Sequence, residues 1–118
     1  MKRVEIFAHG LKKGPLPKAD IYFDARGWKD IGFAPGQAKV VSEVMWNREP
    51  EVKQAYREIL FHHLNAIPSR RDNREAGRKN EPIRICCFCA FGMHRSVMMR
   101  IQLAKMAENM GYQVSEIT

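Results

Sequence analysis

The spacing of apolar residues along the chain predicts four strands and three helices. Short runs that alternate or are continuously apolar predict strands at residues 2–8, 21–23, 83–89 and 112–117. Longer stretches with apolar residues at helical spacing predict helices at residues 37–47, 51–67 and 97–110. Strands and helices that alternate in this way predict a single α/β domain over residues 1–118, with a small, mostly parallel sheet flanked by helices.

Glycine and proline mark the connections between these elements. Residues 9–17 hold two glycines and two prolines, so we predict that they lack regular structure. Residues 25–35 are predicted to form a loop in which Trp28 and Phe33 are anchors, with Trp28 the best candidate for stacking on a base. Gly111 suits the position that follows the end of a helix.

Helical and strand periodicity also predict which side chains are buried. The helix at 51–67 is predicted to bury Ile59, Leu60, His63 and Leu64 on one face, with His62 or His63 at the core margin. Apolar side chains of irregular shape are expected to fill the rest of the core, namely Trp46, Met98, Met99, Met106 and Met110.

Three cysteines lie within one predicted strand. Alternation puts Cys87 and Cys89 on one face of the sheet and Cys86 on the other. This cluster is neither a disulfide framework nor the paired spacing of a zinc site, so we expect a reduced, cytoplasmic protein without a metal or cofactor. Residues 1–5 lack the hydrophobic region of a signal peptide, and no stretch is long enough to span a bilayer, so no membrane partner is expected.

The residues between the third strand and the third helix have the features of a phosphate-binding loop. We call residues 89–96 the cradle loop; in order they are Cys89, Ala90, Phe91, Gly92, Met93, His94, Arg95 and Ser96. A strand that leads into a helix leaves backbone N–H groups free to bind an anion. Gly92 can adopt the positive φ that turns successive N–H groups inward, and Arg95 can hold two phosphate oxygens. Ligands of parallel sheets bind at this edge, beyond the carboxyl ends of the strands.

The net charge of +7 favours polyanionic partners, RNA among them. The densest basic stretch is residues 69–80, with five positive and two negative charges. It is either a solvated loop or an RNA-contacting loop, and it contains no aromatic residue on which a base could stack. The candidate RNA contacts in it are Arg70, Arg71, Arg74, Arg78 and Lys79.

Three patches of the sequence together resemble the C-terminal domain of the RapZ (RNase adapter protein) family. They are His9-Gly10, the segment from Asp20 to Arg26, and Cys89 to Val97. The resemblance implies an α/β domain that binds small regulatory RNA and glucosamine-6-phosphate, with His9 and Arg26 lining the anion pocket. The chain has no Gly-x4-Gly-Lys-Ser/Thr motif, so it resembles a stand-alone form of that domain without the family's nucleotide-binding half.

The chain departs from the family pattern at the cradle loop and at its end. The family's Gly-Gly after the cysteine is Phe91-Gly92 here, which adds bulk or a stacking surface, and Ala8 replaces a lysine. The resemblance implies a basic C-terminal tail, which we do not expect here because residues 116–118 carry no positive charge, and residues 69–80 could supply that charge. The resemblance further implies self-association, or a partnership with a separate nucleotide-binding protein or RNase.

A second function is compatible with the same loop. The order Cys89, Gly92, Arg95, Ser96 matches the phosphate loop of cysteine-dependent phosphatases, in which the thiolate attacks phosphorus. The helix N-terminus, His94 and Arg95 are expected to lower the pKa of Cys89. Such an enzyme needs a general acid, and the spacing selects none of the three candidates Asp20, Asp24 and Asp30. The phosphatase pattern also has His before the cysteine, where this chain has Phe88.

The remaining polar candidates have two interpretations each. His9 either lines the pocket or stabilises a turn, and His94 either contacts phosphate or braces the loop from within. Asp24 and Arg26 are expected to form an ion pair that orients Arg95 in preference to contacting the ligand directly.

Overall fold

Four parallel strands form the sheet of this protein. The computed structural model describes residues 2–27, 38–73, 76–78, 80–92 and 94–117. The strands are β1 (Arg3–Gly10), β2 (Ile21–Asp24), β3 (Ile83–Cys89) and β4 (Gln113–Ile117). They lie in the order β2-β3-β1-β4, and every adjacent pair among them is parallel. The predicted α/β class is confirmed.

Three helices accompany the sheet: α1 (Ala38–Arg48), α2 (Pro50–Asn73) and α3 (Arg95–Asn109). α3 packs against β1, β3 and β4, while α1 and α2 contact it and each other. Gly111 follows α3 with φ +94°, as its position predicted. Of the described helices, none combines the length and the apolar character required to cross a bilayer.

All three helices bury their apolar residues on one face of the sheet. This core contains Ile6, Phe23, Cys87 and Cys89 from the strands, together with Met99 and Met106 of α3 and the ring of Trp46. Phe7, Cys86 and Phe88 form a smaller cluster on the opposite face, with Leu11 and Ala19. The predicted division of the three cysteines between the two faces is therefore confirmed. Because both faces of β3 are buried, its sequence is an almost continuous apolar run.

Two predictions about the connections were wrong. His9 and Gly10 are not in a turn, because they continue β1 and pair with Phe88 and Cys89 of β3. A single 3₁₀ turn, Leu11–Lys13, follows them. The basic stretch is not wholly a loop, because α2 continues to Asn73 and includes Pro68.

The predicted buried face of α2 was also partly wrong. Leu60 and Leu64 are buried as expected, and Ile67 continues their stripe. Ile59 is 46% exposed, and His62 and His63 are both exposed. Ile59 and His63 lie one residue from the stripe and His62 lies two, so they are rotated from it by about 100° and about 200° around the helix and face solvent.

Candidate phosphate-binding site

The carboxyl edge of the sheet brings the three patches of the sequence together. β1 ends at Gly10, β2 ends at Asp24 and β3 ends at Cys89, all on the same edge because the strands are parallel. α3 begins at this edge with Arg95. The site is therefore assembled from segments that lie far apart in the sequence.

Two glycines bring the cradle loop into direct contact with the end of β1. A Cβ on Gly10 would lie 2.3 Å from the carbonyl carbon and oxygen of Phe91, and one on Gly92 would lie 2.5 Å from the nitrogen of Gly10. Gly92 has φ +74°, the positive value that the sequence predicted. The N–H of Lys12 donates to the carbonyl of Ala90 at 2.9 Å. These contacts hold the described part of the loop in one conformation.

The sulfur of Cys89 lies at the centre of the loop. Its side chain is buried, its Sγ is 3.2 Å from Ser96 Oγ, and the N–H of Gly92 donates to it at 3.2 Å. Burial raises the pKa of Cys89, but hydrogen bonds from the Ser96 hydroxyl and from the N–H groups of Ser96, Gly92 and Phe91 outweigh it, so the net pKa is lowered. The lowered pKa was predicted, but its main causes are these hydrogen bonds.

The other two cysteines behave in the opposite way. Burial raises the pKa of Cys86 to about 11 and raises that of Cys87 well above its ordinary value. All three thiols are free and buried, so their surroundings alone make Cys89 the most readily ionised of the three.

An ion pair at the end of β2 positions Arg95. Arg26 binds the carboxylate of Asp24 through Nε and Nη2, at 2.9 and 2.7 Å. Arg95 Nη1 donates to the backbone carbonyl of Arg26 at 2.7 Å. The predicted ion pair is present. It holds the turn after β2, and the Arg26 carbonyl in that turn accepts the hydrogen bond from Arg95. The hydrogen bond from Arg26 is the main reason that the pKa of Asp24 is lowered.

The two histidines near the loop make local contacts. His9 Nε2 is 3.0 Å from the carbonyl of Gly14, so this nitrogen donates to the segment after β1. His94 is the N-cap residue of α3, is half-buried, and its carbonyl accepts from Met98 N–H at 2.9 Å.

Lys12 belongs to this site but was missed by the sequence analysis. Its Nζ lies 4.8 Å from the centroid of the Phe91 ring, which is 53% exposed. Two adjacent lysines after His9-Gly10 were the only signal, and the prediction of an irregular segment hid their fixed position in a 3₁₀ turn.

Two arginines of the basic stretch lie elsewhere and are structural. Arg71 is buried, with Nη2 at 3.1 Å from Asp20 Oδ2 and Nη1 donating to the carbonyl of Glu81. Arg78 Nη2 reaches the other oxygen of Asp20 at 2.8 Å. Asp20 also accepts from the N–H of Arg84, at the amino end of β3 and away from the cradle loop. The prediction that Arg71 contacts RNA was wrong, because its side chain is buried.

Several predicted residues fall outside the described part of the chain. They are Trp28, Asp30, Phe33, Arg74, Lys79 and Met93; of Arg70 only the backbone is described.

The fold and the loop define the class of this protein as a parallel α/β domain with a Cys-x5-Arg-Ser loop between strand and helix. Its sequence matches the family model of the RapZ C-terminal domain over residues 2–117. The chain therefore belongs to the RapZ C-terminal domain family. A comparison with curated proteins gave no match.

Proposed function

We propose that this domain binds a phosphorylated ligand in the cradle loop and acts as an RNA-binding or metabolite-sensing adapter. Membership of the RapZ C-terminal domain family supports a sugar-phosphate or RNA-related adapter role in general. The ligands that fit are a sugar phosphate such as glucosamine-6-phosphate and the phosphate backbone of RNA.

The convergence of N–H groups on one point carries this proposal. The N–H of Gly92 donates to the Cys89 sulfur at 3.2 Å, Ser96 Oγ lies 3.2 Å from it, and the backbone of Phe91, Gly92 and Ser96 lowers the pKa of this thiol. Backbone N–H dipoles and a helix N-terminus that stabilise a thiolate also stabilise another anion placed at the same point. A phosphate here would accept hydrogen bonds from the N–H groups of the loop and from Arg95, with His9 and Arg26 at the margin of the site.

Substitution of Arg95 tests the proposal by calorimetric titration with glucosamine-6-phosphate. We expect Arg95→Ala to weaken binding by about 1.5–3 kcal/mol, the worth of a charged hydrogen bond. Arg95→Lys should recover only part of this loss, because an ammonium does not hold two oxygens. Arg57→Ala is the matched control, since Arg57 is exposed on α2 and bonds Gln54 at 3.1 Å. Equal affinities for Arg95→Ala and Arg57→Ala would contradict the role of Arg95.

Salt dependence separates the two ligand classes. Binding of RNA through its backbone should weaken steeply as salt rises, because bound counterions are released. A response of that kind would support RNA, whereas a shallow response would support a small metabolite. Self-association, or a complex with a separate nucleotide-binding protein or RNase, belongs to the same adapter role and is measured by light scattering.

The lowered pKa of Cys89 favours a second function, that of a cysteine-dependent phosphatase. Ser96 Oγ at 3.2 Å is placed to stabilise the thiolate. The general acid is the weak point. Asp24 is held ionised by Arg26, and Asp20 lies at the opposite end of the sheet, bound to Arg71 and Arg78.

Phosphate release from a panel of phosphoesters decides between binding and catalysis. Under reducing conditions we expect no turnover by the wild-type protein, because of the two candidate acids that the structure describes, Asp24 is bound to Arg26 and Asp20 lies at the opposite end of the sheet. Turnover that is lost in Cys89→Ser would instead identify Cys89 as a nucleophile and make the phosphatase the primary function.

A further inference from the structure

Phe91 places an exposed aromatic ring within the cradle loop itself. The ring is 53% exposed, and the N–H of the next residue, Gly92, donates to the Cys89 sulfur at the centre of the loop at 3.2 Å. A single exposed apolar side chain is ordinary on a protein surface. This ring differs because Phe91 belongs to the cradle loop and precedes Gly92, one of the proposed anion donors. Its side chain therefore borders the phosphate that we propose the loop binds.

Two contacts restrain Phe91, one at its backbone and one at its ring. The carbonyl of Phe91 lies against Gly10, where even a Cβ would come within 2.3 Å. Lys12, whose N–H donates to Ala90, holds its ammonium 4.8 Å from the ring centroid. A ring held in this way loses little conformational entropy when a ligand stacks on it, and that favours affinity.

We propose that the cradle loop takes a nucleotide, with the phosphate in the loop and the base stacked on Phe91. This inference rests on the proposed phosphate-binding function and names its ligand class. Stacking on an aromatic ring accepts any base, because every base presents a π face. Lys12 adds a positive charge beside the ring. Phe91 is then the specificity-determining residue, because it distinguishes a phosphate that carries a base from one that carries only a sugar.

The test compares two ligands with the same phosphate and pentose. Adenosine 5′-monophosphate and ribose 5-phosphate are titrated into the full chain, and the ratio of their affinities is the readout. Stacking is worth about 1–3 kcal/mol per base, so we expect the nucleotide to bind about 5-fold to 150-fold tighter. The ratio should approach one in Phe91→Ala and Phe91→Leu and should persist in Phe91→Tyr.

Phe61→Ala is the matched control. Phe61 is 57% exposed and lies on α2, so its loss removes a comparable ring from another element and should leave the ratio unchanged. A 5′-phosphorylated RNA trinucleotide identifies the source of the ligand. Tighter binding than the mononucleotide indicates a chain end, and equal or weaker binding indicates a free nucleotide; either agrees with the proposal.

Failure of this inference is distinguishable from failure of the proposed function. Equal affinity for the nucleotide and ribose 5-phosphate in the wild-type protein would overturn base stacking and leave phosphate binding intact. A ratio that survives in Phe91→Ala would also overturn it, since the base would then be held elsewhere. Absence of binding by both of these ligands and by glucosamine-6-phosphate would overturn the two proposals together.

Discussion

Replacement of Gly10 by alanine should disrupt the cradle loop from the opposite strand. The added Cβ would lie 2.3 Å from the carbonyl carbon and oxygen of Phe91 and 2.8 Å from the nitrogen of Gly92. All three atoms belong to the backbone, so no side chain can rotate away. Ordinary contact begins near 3.4 Å, so β1 and the loop would have to separate by about 1 Å.

The cost of that separation follows from the contacts it breaks. Overpacking of this kind costs about 1–3 kcal/mol. The hydrogen bond from Lys12 N–H to the Ala90 carbonyl spans the same gap, and its loss adds about 1 kcal/mol. We therefore expect Gly10→Ala to lower the free energy of unfolding by about 2–4 kcal/mol and to weaken phosphate binding, because the loop N–H groups are displaced.

Urea denaturation followed by circular dichroism measures this effect. With a slope near 2 kcal/mol per molar urea, the midpoint should fall by about 1–2 M. Gly27→Ala is the control, since Gly27 has no positive φ and its Cβ would meet nothing within 4 Å. It should stay within about 1 kcal/mol of the wild type. A Gly10→Ala protein with the midpoint and phosphate affinity of Gly27→Ala would refute the close-approach argument.

Two further predictions concern aspartate–arginine ion pairs, a buried one at the amino end of the sheet and an exposed one at its carboxyl end. Asp20→Asn should cost about 3–5 kcal/mol in urea denaturation, because it leaves Arg71 buried without its counter-charge. Asp24→Asn breaks an exposed Asp–Arg pair and should cost less than about 1 kcal/mol; equal costs would contradict the difference in burial. Burial raises the pKa of Asp20, but its three donors outweigh this and lower the pKa below 3.8. Its stabilisation is therefore present above pH 3.8 and is lost as the pH falls through the lower folded value. Acid titration of stability should accordingly show a smaller loss in Asp20→Asn, and a loss as steep as that of the wild type would show that Asp20 does not contribute it.

Local sequence patterns predicted the strands and the cradle loop well. The third strand was predicted as residues 83–89 and is Ile83–Cys89, because burial on both faces requires a continuous apolar run with clear ends. The positive φ of Gly92 was predicted from its place between strand and helix. These features depend on neighbours in the sequence, which a periodicity analysis can read.

Features that depend on distant partners were not predicted. Gly10 indicates a turn in isolation, yet it lies in β1 and pairs with Cys89. A glycine is needed there because the Phe91 backbone occupies the space of a side chain. Arg71 belongs to a stretch that is basic and polar, yet it is buried because Asp20, 51 positions away, binds it. Neither partner lies within a short stretch of sequence around the residue. The glycine was therefore assigned to a turn and the arginine to an exposed surface, their commonest positions.

The two ends of the sheet use positive charge in opposite ways. At the amino end, the buried carboxylate of Asp20 binds both Arg71 and Arg78. The Arg71 contact links the end of α2 to the sheet. At the carboxyl end, Arg95 donates to the carbonyl of Arg26 and Lys12 lies over the ring of Phe91, so both cations border the cradle loop. The net charge of +7 is therefore a poor guide to where an anion binds. The positions of the individual cations are a better guide, and they favour the edge where the cradle loop lies.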